Sequence, residues 1–260
     1  MKIAQGPSVH LIGRSQIDHS AVDRFLDENA VAWSTDGDSG AELISELAGR
    51  VCYMSFGDRQ GRRSNREYLE NIIELAHGSV LEHVVWTFIV SGVSRSFSHE
   101  LIRHRAGWAY SQLSQRYVDE SDTEFVEPDI IAADQEMHEI WLKSVEQSHE
   151  AYCLLASAVE EKVATQQPEL QRRNRRKRAR EAARSVLPNA TETKIVMSAN
   201  ARALRHFIEY RGAADAEPEI RSVALQVLEI MRVEAPNIFG DYRLEEDGAT
   251  TVSATEHPKV

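Results

Sequence analysis

The chain has 260 residues, 42% of them hydrophobic, and a formal net charge of −11. That hydrophobic share supports a sizeable core and argues against global disorder. No apolar run reaches the roughly 18 residues of a membrane span, and the acidic balance argues against a general nucleic-acid binder. Met1 to Gly6 contains no apolar signal region. Cys52 and Cys153 form no CxxC pair, which fits free thiols in a reducing, cytoplasmic setting.

In chain order, Ser8-Val9-His10-Leu11-Ile12 predicts a short strand. Residues 18–40 are polar and hold a turn cluster at Asp36-Gly37-Asp38-Ser39-Gly40. A short helix is expected at 41–50, then a Gly/Arg-rich loop at 57–63. Ser64 and Glu67 form a capping box for a helix carrying Tyr68, Ile72, Leu75 and Ala76, with Gly78 as its C′ residue. His83 to Val93 is rich in Val, Ile, Phe and Trp and predicts a strand. Ser94 suits the N-cap of a helix running to about His104, and 105–117 reads as irregular. Glu136 to Thr165 predicts a long amphipathic helix with Ile140, Trp141, Val145, Tyr152, Leu155 and Val159 on one stripe. A second helix covers the basic run from Arg172 to Arg184 and stops at Leu187-Pro188. Thr191 to Ser198 alternates as a strand does. Asn200 caps a helix through about Arg211, and another helix covers 217–233. The expectation is one α+β domain over residues 1–244, with a mixed or antiparallel sheet flanked by long helices, and a disordered tail at 245–260.

Metal chemistry finds little support. His99 and His104 are five residues apart, so on a helix the second imidazole points roughly 140° away from the first. A zinc pair needs i and i+4 on one face. Neither cysteine sits in a nucleophile setting. The segment with chemical content is Arg103-His104-Arg105-Ala106-Gly107-Trp108-Ala109-Tyr110-Ser111-Gln112-Leu113-Ser114-Gln115-Arg116-Tyr117. It gathers three arginines, a histidine and several hydroxyl and amide groups. Guanidinium forks match phosphate oxygens, and Ser, Gln and backbone N–H groups can complete an anion pocket. A solvated helix end would have the same composition.

This segment resembles the signature of the flavin-dependent thymidylate synthase family, an Arg-His-Arg followed after a short gap by Ser-x-Arg-Tyr. Other pieces match in order and spacing: Ser79-Val80-Leu81-Glu82-His83, Ser94-Arg95-Ser96 leading to His99-Glu100-Leu101-Ile102, Arg184-Ser185-Val186-Leu187-Pro188, and Asn200-x-Arg202-x-x-x-His206 leading to Arg211. The resemblance covers most of residues 40–240. It implies a homotetramer whose active sites are shared between subunits, with FAD as cofactor and no metal. It implies C5 methylation of a uridine monophosphate, with 5,10-methylenetetrahydrofolate as carbon donor and NADPH as reductant.

Residue by residue, the resemblance places Ser79, Arg103, His104, Arg105, Gln112, Asn200, Arg202 and His206 at FAD. It places Glu100, Leu101, Ile102, Arg103, Gln112, Leu113, Ser114, Gln115, Arg116 and Arg184 at the nucleotide. Arg211 corresponds to the arginine at uracil N3, where a guanidinium stabilises charge as N3 ionises. Arg202 and His206, at i and i+4, share a helix face away from Leu204 and Ile208. Ser114 has no adjacent base, so it reads as a substrate-binding serine and not a nucleophile.

The chain departs from the pattern between Arg105 and Ser114. Eight residues, Ala106 to Leu113, fill a gap that is usually seven, and Ala106-Gly107 replaces bulkier residues. Glycine adds backbone freedom. The expectation is a plastic loop that tolerates a ribose 2′-hydroxyl, so that UMP is methylated as well as dUMP. In this the chain resembles the broadened UMP/dUMP methylases of nucleoside-antibiotic pathways. Neither nucleic acid nor membrane is an expected partner.

Overall fold

The computed structural model describes residues 1–62 and 64–260. Arg63, the last residue of the predicted 57–63 loop, lies outside the described residues. The elements in chain order are β1 (Lys2–Ile3), β2 (Ser8–Arg14), α1 (His19–Glu28), α2 (Gly40–Tyr53), α3 (Asn65–Glu74), β3 (Val85–Ser94), α4 (Arg95–Leu101), β4 (Trp108–Gln112), β5 (Glu124–Phe125), α5 (Asp129–Ala132), α6 (Gln135–Gln166), α7 (Arg172–Ala183), β6 (Glu192–Asn200), α8 (Ala201–Arg211), α9 (Pro218–Glu234), α10 (Pro236–Phe239), β7 (Arg243–Asp247) and β8 (Thr250–Ala254). The class is α+β, as expected. A four-stranded sheet has the order β2-β3-β6-β4. β1 pairs with β5 in parallel and β7 with β8 in antiparallel fashion.

Local chemistry explains most of the helix starts. Ser64 accepts a hydrogen bond from the Glu67 N–H at 3.4 Å, Ser94 from Phe97 at 3.0 Å and Asn200 from Ala203 at 2.8 Å. Each satisfies one amide that the first turn leaves open.

Several expectations need correction. The polar stretch 18–40 contains α1, capped by Asp18. It has no buried residue, so composition alone concealed it. The predicted C′ glycine of α3 is replaced by Ala76, which takes the left-handed conformation (φ 53°) two residues early. The Ser94-capped helix stops at Leu101 and does not reach His104. Residues 108–112, expected to be irregular, form β4. The segment expected to be a disordered tail instead carries the β7–β8 hairpin, which turns at Gly248 (φ 65°). α6 matches in extent, but of its predicted stripe only Val145 and Tyr152 are buried. Ile140 is 66% exposed and Leu155 40%.

Packing contacts group the chain into two compact units. The first comprises residues 1–8, 90–102 and 111–195, and the second 9–89, 103–110 and 196–260. Strands β3, β4 and β6 each begin in one unit and end in the other. In the first unit, Val93, Phe97, Phe125 and Tyr152 are buried. The helical hairpin α6–α7 is its largest element pair.

In the second unit, Leu81, Trp86, Phe88, Leu204, Phe207 and Val227 are buried. Trp86 meets Phe239 edge-on at 6.0 Å. Each such side chain contributes roughly 1.5–3 kcal/mol. The same unit buries a polar network. Glu46 accepts from Trp33, Thr35, Arg50 and Asn65 at 2.6–3.1 Å. Glu42 accepts from the Asn237 amide N–H at 2.6 Å and its side-chain nitrogen at 3.1 Å. Arg205, 1% exposed, is clamped by both carboxylate oxygens of Asp241 at 2.7 and 2.8 Å.

Candidate active site

In the second unit the candidate site is built around the start of α8. The Asn200 N–H donates to the Gly107 carbonyl at 3.1 Å, and the Ala201 N–H donates to Val84 at 3.0 Å. These two bonds, with the Asn200 cap, fix where α8 begins and therefore where its face points. Arg202 and His206 project from the exposed face, while Leu204, Phe207 and Ile208 are buried. The i, i+4 expectation for this helix holds.

Gly107 has φ +76°, and a Cβ there would lie 2.7–2.9 Å from the Asn200 amide atoms. The glycine is required by a close approach, so the loop is not plastic at this point. Trp108 reinforces the restraint. Its ring stacks on Tyr110 at 5.7 Å and meets Phe207 edge-on at 5.3 Å. Gly107 and Trp108 are thus held by contacts within the unit, in contrast to the plastic loop expected of Ala106–Ala109.

His104 is 8% exposed. The Tyr110 hydroxyl donates to its carbonyl at 2.9 Å, and burial pushes the Tyr110 phenol well above its ordinary range. The His104 ring packs edge-on against Phe207 at 5.3 Å. Arg211, the last residue of α8, donates from Nε to His104 Nε2 at 3.1 Å. Its guanidinium lies over the Tyr210 ring at 5.1 Å. His206 and Tyr210 stack at 5.8 Å and 21°, and both are exposed. Arg103 and Arg105 flank His104 and are exposed. Ser79 and Arg202 line a cavity of about 320 Å³ that also touches Cys52, His77 and Gly78. Arg202 is held there by Glu82 at 2.6 Å. Of the eight residues expected at the flavin, seven lie in this unit and Gln112 in the other.

The first unit carries the expected nucleotide residues Glu100, Leu101, Ile102, Gln112, Leu113, Ser114, Gln115, Arg116 and Arg184; Arg103 belongs to the second. The Leu113 N–H donates to Lys194 at 2.9 Å, and Gln112 Nε2 to the Thr193 hydroxyl at 3.2 Å. The Ser114 carbonyl accepts from Tyr117 and Val118 at 3.0 and 2.9 Å, so Ser114–Val118 is a tight turn. Within it Gln115 is buried and Arg116 half-buried. Leu101 is buried at the end of α4, whereas Ile102 is 48% exposed.

Arg95 was not among the expected site residues, although its Ser94-Arg95-Ser96 motif is conspicuous. Burial pushes its guanidinium pKa down, with Glu120 opposing and Arg184 adding like-charge repulsion. Its Nη1 donates to the Leu113 carbonyl at 3.4 Å. A half-buried arginine with a second arginine near enough to repel it suits a dianionic group. Most of the basic helix α7 is otherwise occupied. Arg180 binds the Tyr117 carbonyl and Asp119, both at 2.7 Å. Arg176 approaches Glu160 at 3.6 Å. No group of three or more metal-ligating side chains is found among the described residues.

Comparison with known proteins decides the family. The family model described as thymidylate synthase complementing protein matches residues 35–237. The chain belongs to the flavin-dependent thymidylate synthases. A flavin-dependent thymidylate synthase from Mycobacterium sp. (strain JLS) is 46% identical over 233 residues, covering 87% of this chain and 91% of the relative. One from Corynebacterium glutamicum is 43% identical over 226 residues, covering 86% and 88%. Among solved structures, a UMP/dUMP methylase, PolB from Streptomyces cacaoi, bound with 5-Br dUMP, aligns with a TM-score of 0.62 at 22% identity. That alignment covers 92% of this chain and 96% of the other, and it shows a shared fold. This flavin-dependent thymidylate synthase family member is thus an enzyme, a transferase of methyl groups. No helix among its described residues is long and apolar enough to cross a membrane.

Proposed function

We propose that the protein converts dUMP to dTMP, with methylenetetrahydrofolate supplying the carbon and NADPH reducing a bound FAD. Beyond family membership, the observation that carries this reading is the α8 constellation: Arg202, His206 and Arg211 on one helix capped by Asn200, with His104 bonded to Arg211. The donor set fits a flavin dinucleotide. Arg103, Arg105 and Arg202 are exposed cations suited to a pyrophosphate. The exposed His206–Tyr210 stack offers a flat aromatic surface to a flat ring. The flavin, once reduced by NADPH, would supply the hydride that completes the methyl group.

The protein's own contribution is binding, orientation and charge. Arg211 stabilises negative charge at uracil N3 and so raises electron density at C5. Arg95 and Arg184, with the Gln112–Arg116 turn, hold the nucleotide phosphate. No enzyme thiol takes part: burial and the nearby Asp119 carboxylate raise the Cys153 pKa, which disfavours its thiolate. Ser114 has no adjacent base among its bonds and serves in binding.

UMP is the second substrate in this reading, slower than dUMP. Its use was expected from a loose loop, and the pinned Gly107–Trp108 segment weakens that expectation. Homotetramer assembly is part of this reading through the family resemblance, and the exposed Ile140, Leu154 and Leu155 of α6 are compatible with it. Steady-state kinetics with dUMP and UMP test the reading, each with FAD, NADPH and methylenetetrahydrofolate. Turnover of dUMP with a lower kcat/KM for UMP is expected. Absence of dUMP turnover by the FAD-loaded protein would overturn the reading, and absence of UMP turnover at millimolar concentration would restrict it to dUMP.

A further inference from the structure

We propose that His104 is a positioning residue for Arg211, holding the guanidinium through Nε2 of a neutral imidazole whose proton sits on Nδ1. The inference rests on the reading of Arg211 as the uracil-side cation. Its physical basis is a donor–acceptor constraint. Arginine has N–H donors and no acceptor, and it stays protonated. The 3.1 Å contact from Arg211 Nε therefore requires a lone pair on His104 Nε2. Only the neutral Nδ1–H tautomer provides one there.

The surroundings hold the imidazole in place. Its backbone is fixed by the Tyr110 hydroxyl at 2.9 Å. Its ring meets Phe207 at 5.3 Å, Trp108 and His206 at 5.9 Å, and Tyr210 at 6.4 Å. Four aromatic rings and 8% exposure leave the imidazole little freedom to rotate. Arg211 is half-buried and sits at the helix end, where a long side chain has many rotamers. The bond engages Nε, which fixes the plane of the fork while the two Nη groups point along it. His104 thereby sets the direction in which the guanidinium faces substrate.

Protonation would reverse this. An imidazolium offers Nε2–H to a cation, so the bond becomes a repulsion. Among the described residues, the titratable and charged groups around His104 include Arg211, His206 and Tyr210 on α8, Tyr110 on β4, and Arg103 and Arg105 beside it in the chain. Turnover should accordingly fall on the acid side through one proton.

The experiment compares His104→Gln with His104→Leu in the full-length, FAD-loaded protein. Glutamine keeps an acceptor oxygen at similar reach, and leucine removes it. His104→Leu is expected to lower kcat by about a hundredfold at saturating FAD. His104→Gln should recover kcat to within roughly tenfold of wild type and lose the acid limb of the pH profile. Adding Arg211→Ala to His104→Leu should cost little more, because the two act as a unit.

The proposal is overturned if glutamine is as poor as leucine at saturating FAD, or if the two losses multiply. Nitrogen-15 NMR of the histidines gives an arm independent of turnover. It should show His104 as the Nδ1–H tautomer at neutral pH, changing in Arg211→Ala. An Nε2–H tautomer or a cation there would overturn the pairing. Correct tautomer with no dUMP turnover would instead count against the functional reading alone.

Discussion

Replacing Gly107 by alanine should damage both the fold and the site. The residue has φ +76°, and its new Cβ would stand 2.7–2.9 Å from the Asn200 side chain. A left-handed conformation costs a residue with a Cβ about 1–2 kcal/mol. The clash forces the Asn200 side chain away from the Ala203 N–H it caps at 2.8 Å, and loss of such a cap costs about 1 kcal/mol. The sum is roughly 2–3 kcal/mol, and for a chain of this size that lowers Tm by about 4–12 °C. Thermal unfolding followed by circular dichroism measures it, with FAD affinity read from flavin fluorescence. Gly61→Ala is the control, since nothing lies within 4 Å of its added Cβ. The expected result is a lowered Tm and weakened FAD binding for Gly107→Ala, with Gly61→Ala close to wild type. A Gly107→Ala protein with unchanged Tm and unchanged flavin affinity would refute the reasoning and restore the plastic loop.

Other consequences follow from buried charge and from the unused thiols. Asp241→Ala leaves Arg205, 1% exposed, without its carboxylate; a loss of about 3–5 kcal/mol is expected, visible as a large fall in Tm or a failure to accumulate folded protein. Burial raises the Glu42 pKa from 4.5 to about 7, with Asp38 adding to it against the Asn237 bonds. Between those pH values the folded state holds the proton more tightly than the unfolded one, so stability falls as pH rises through the window, by up to about 3 kcal/mol. Denaturant titrations across that range should show the slope in wild type and a flatter line in Glu42→Gln; a parallel slope in the variant would assign the effect elsewhere. Finally, Cys52→Ala combined with Cys153→Ala should keep kcat within a few-fold of wild type, and loss of turnover would point to a thiol-dependent mechanism.

The parts legible in the sequence are those set by local chemistry. Ser64, Ser94 and Asn200 announce helix starts because a short polar side chain must satisfy the first-turn amides, and the structure has all three caps. Helix α6 was read to within a residue of each end because its length and periodicity are strong. Its burial was not legible, since an apolar stripe faces either the chain's own core or another surface. Strand β4 was obscured by its polar residues, and only the approach of Gly107 to Asn200 reveals why the backbone straightens there. The β7–β8 hairpin was hidden in a polar tail although Thr250–Ala254 and the turn at Gly248 suit a hairpin. At the candidate site, the spacing of Arg202 and His206 revealed their shared exposed face on α8, while Arg211 was picked out by resemblance alone. The bond between His104 and Arg211 joins residues 107 apart in sequence, and no local pattern encodes it. Arg95 was visible as part of a motif, but its role depends on burial, which sequence does not display.

The central claim is that this flavin-dependent thymidylate synthase family member builds dTMP from dUMP. It is tested most directly by incubating the FAD-loaded protein with dUMP, methylenetetrahydrofolate and NADPH and resolving the nucleotides by mass spectrometry. The expected result is a product heavier than dUMP by one CH2 and chromatographically identical to dTMP, formed by wild type and reduced about a hundredfold in Arg211→Ala. Unchanged dUMP with the flavin bound, or a methylated product formed as fast by Arg211→Ala, would contradict it.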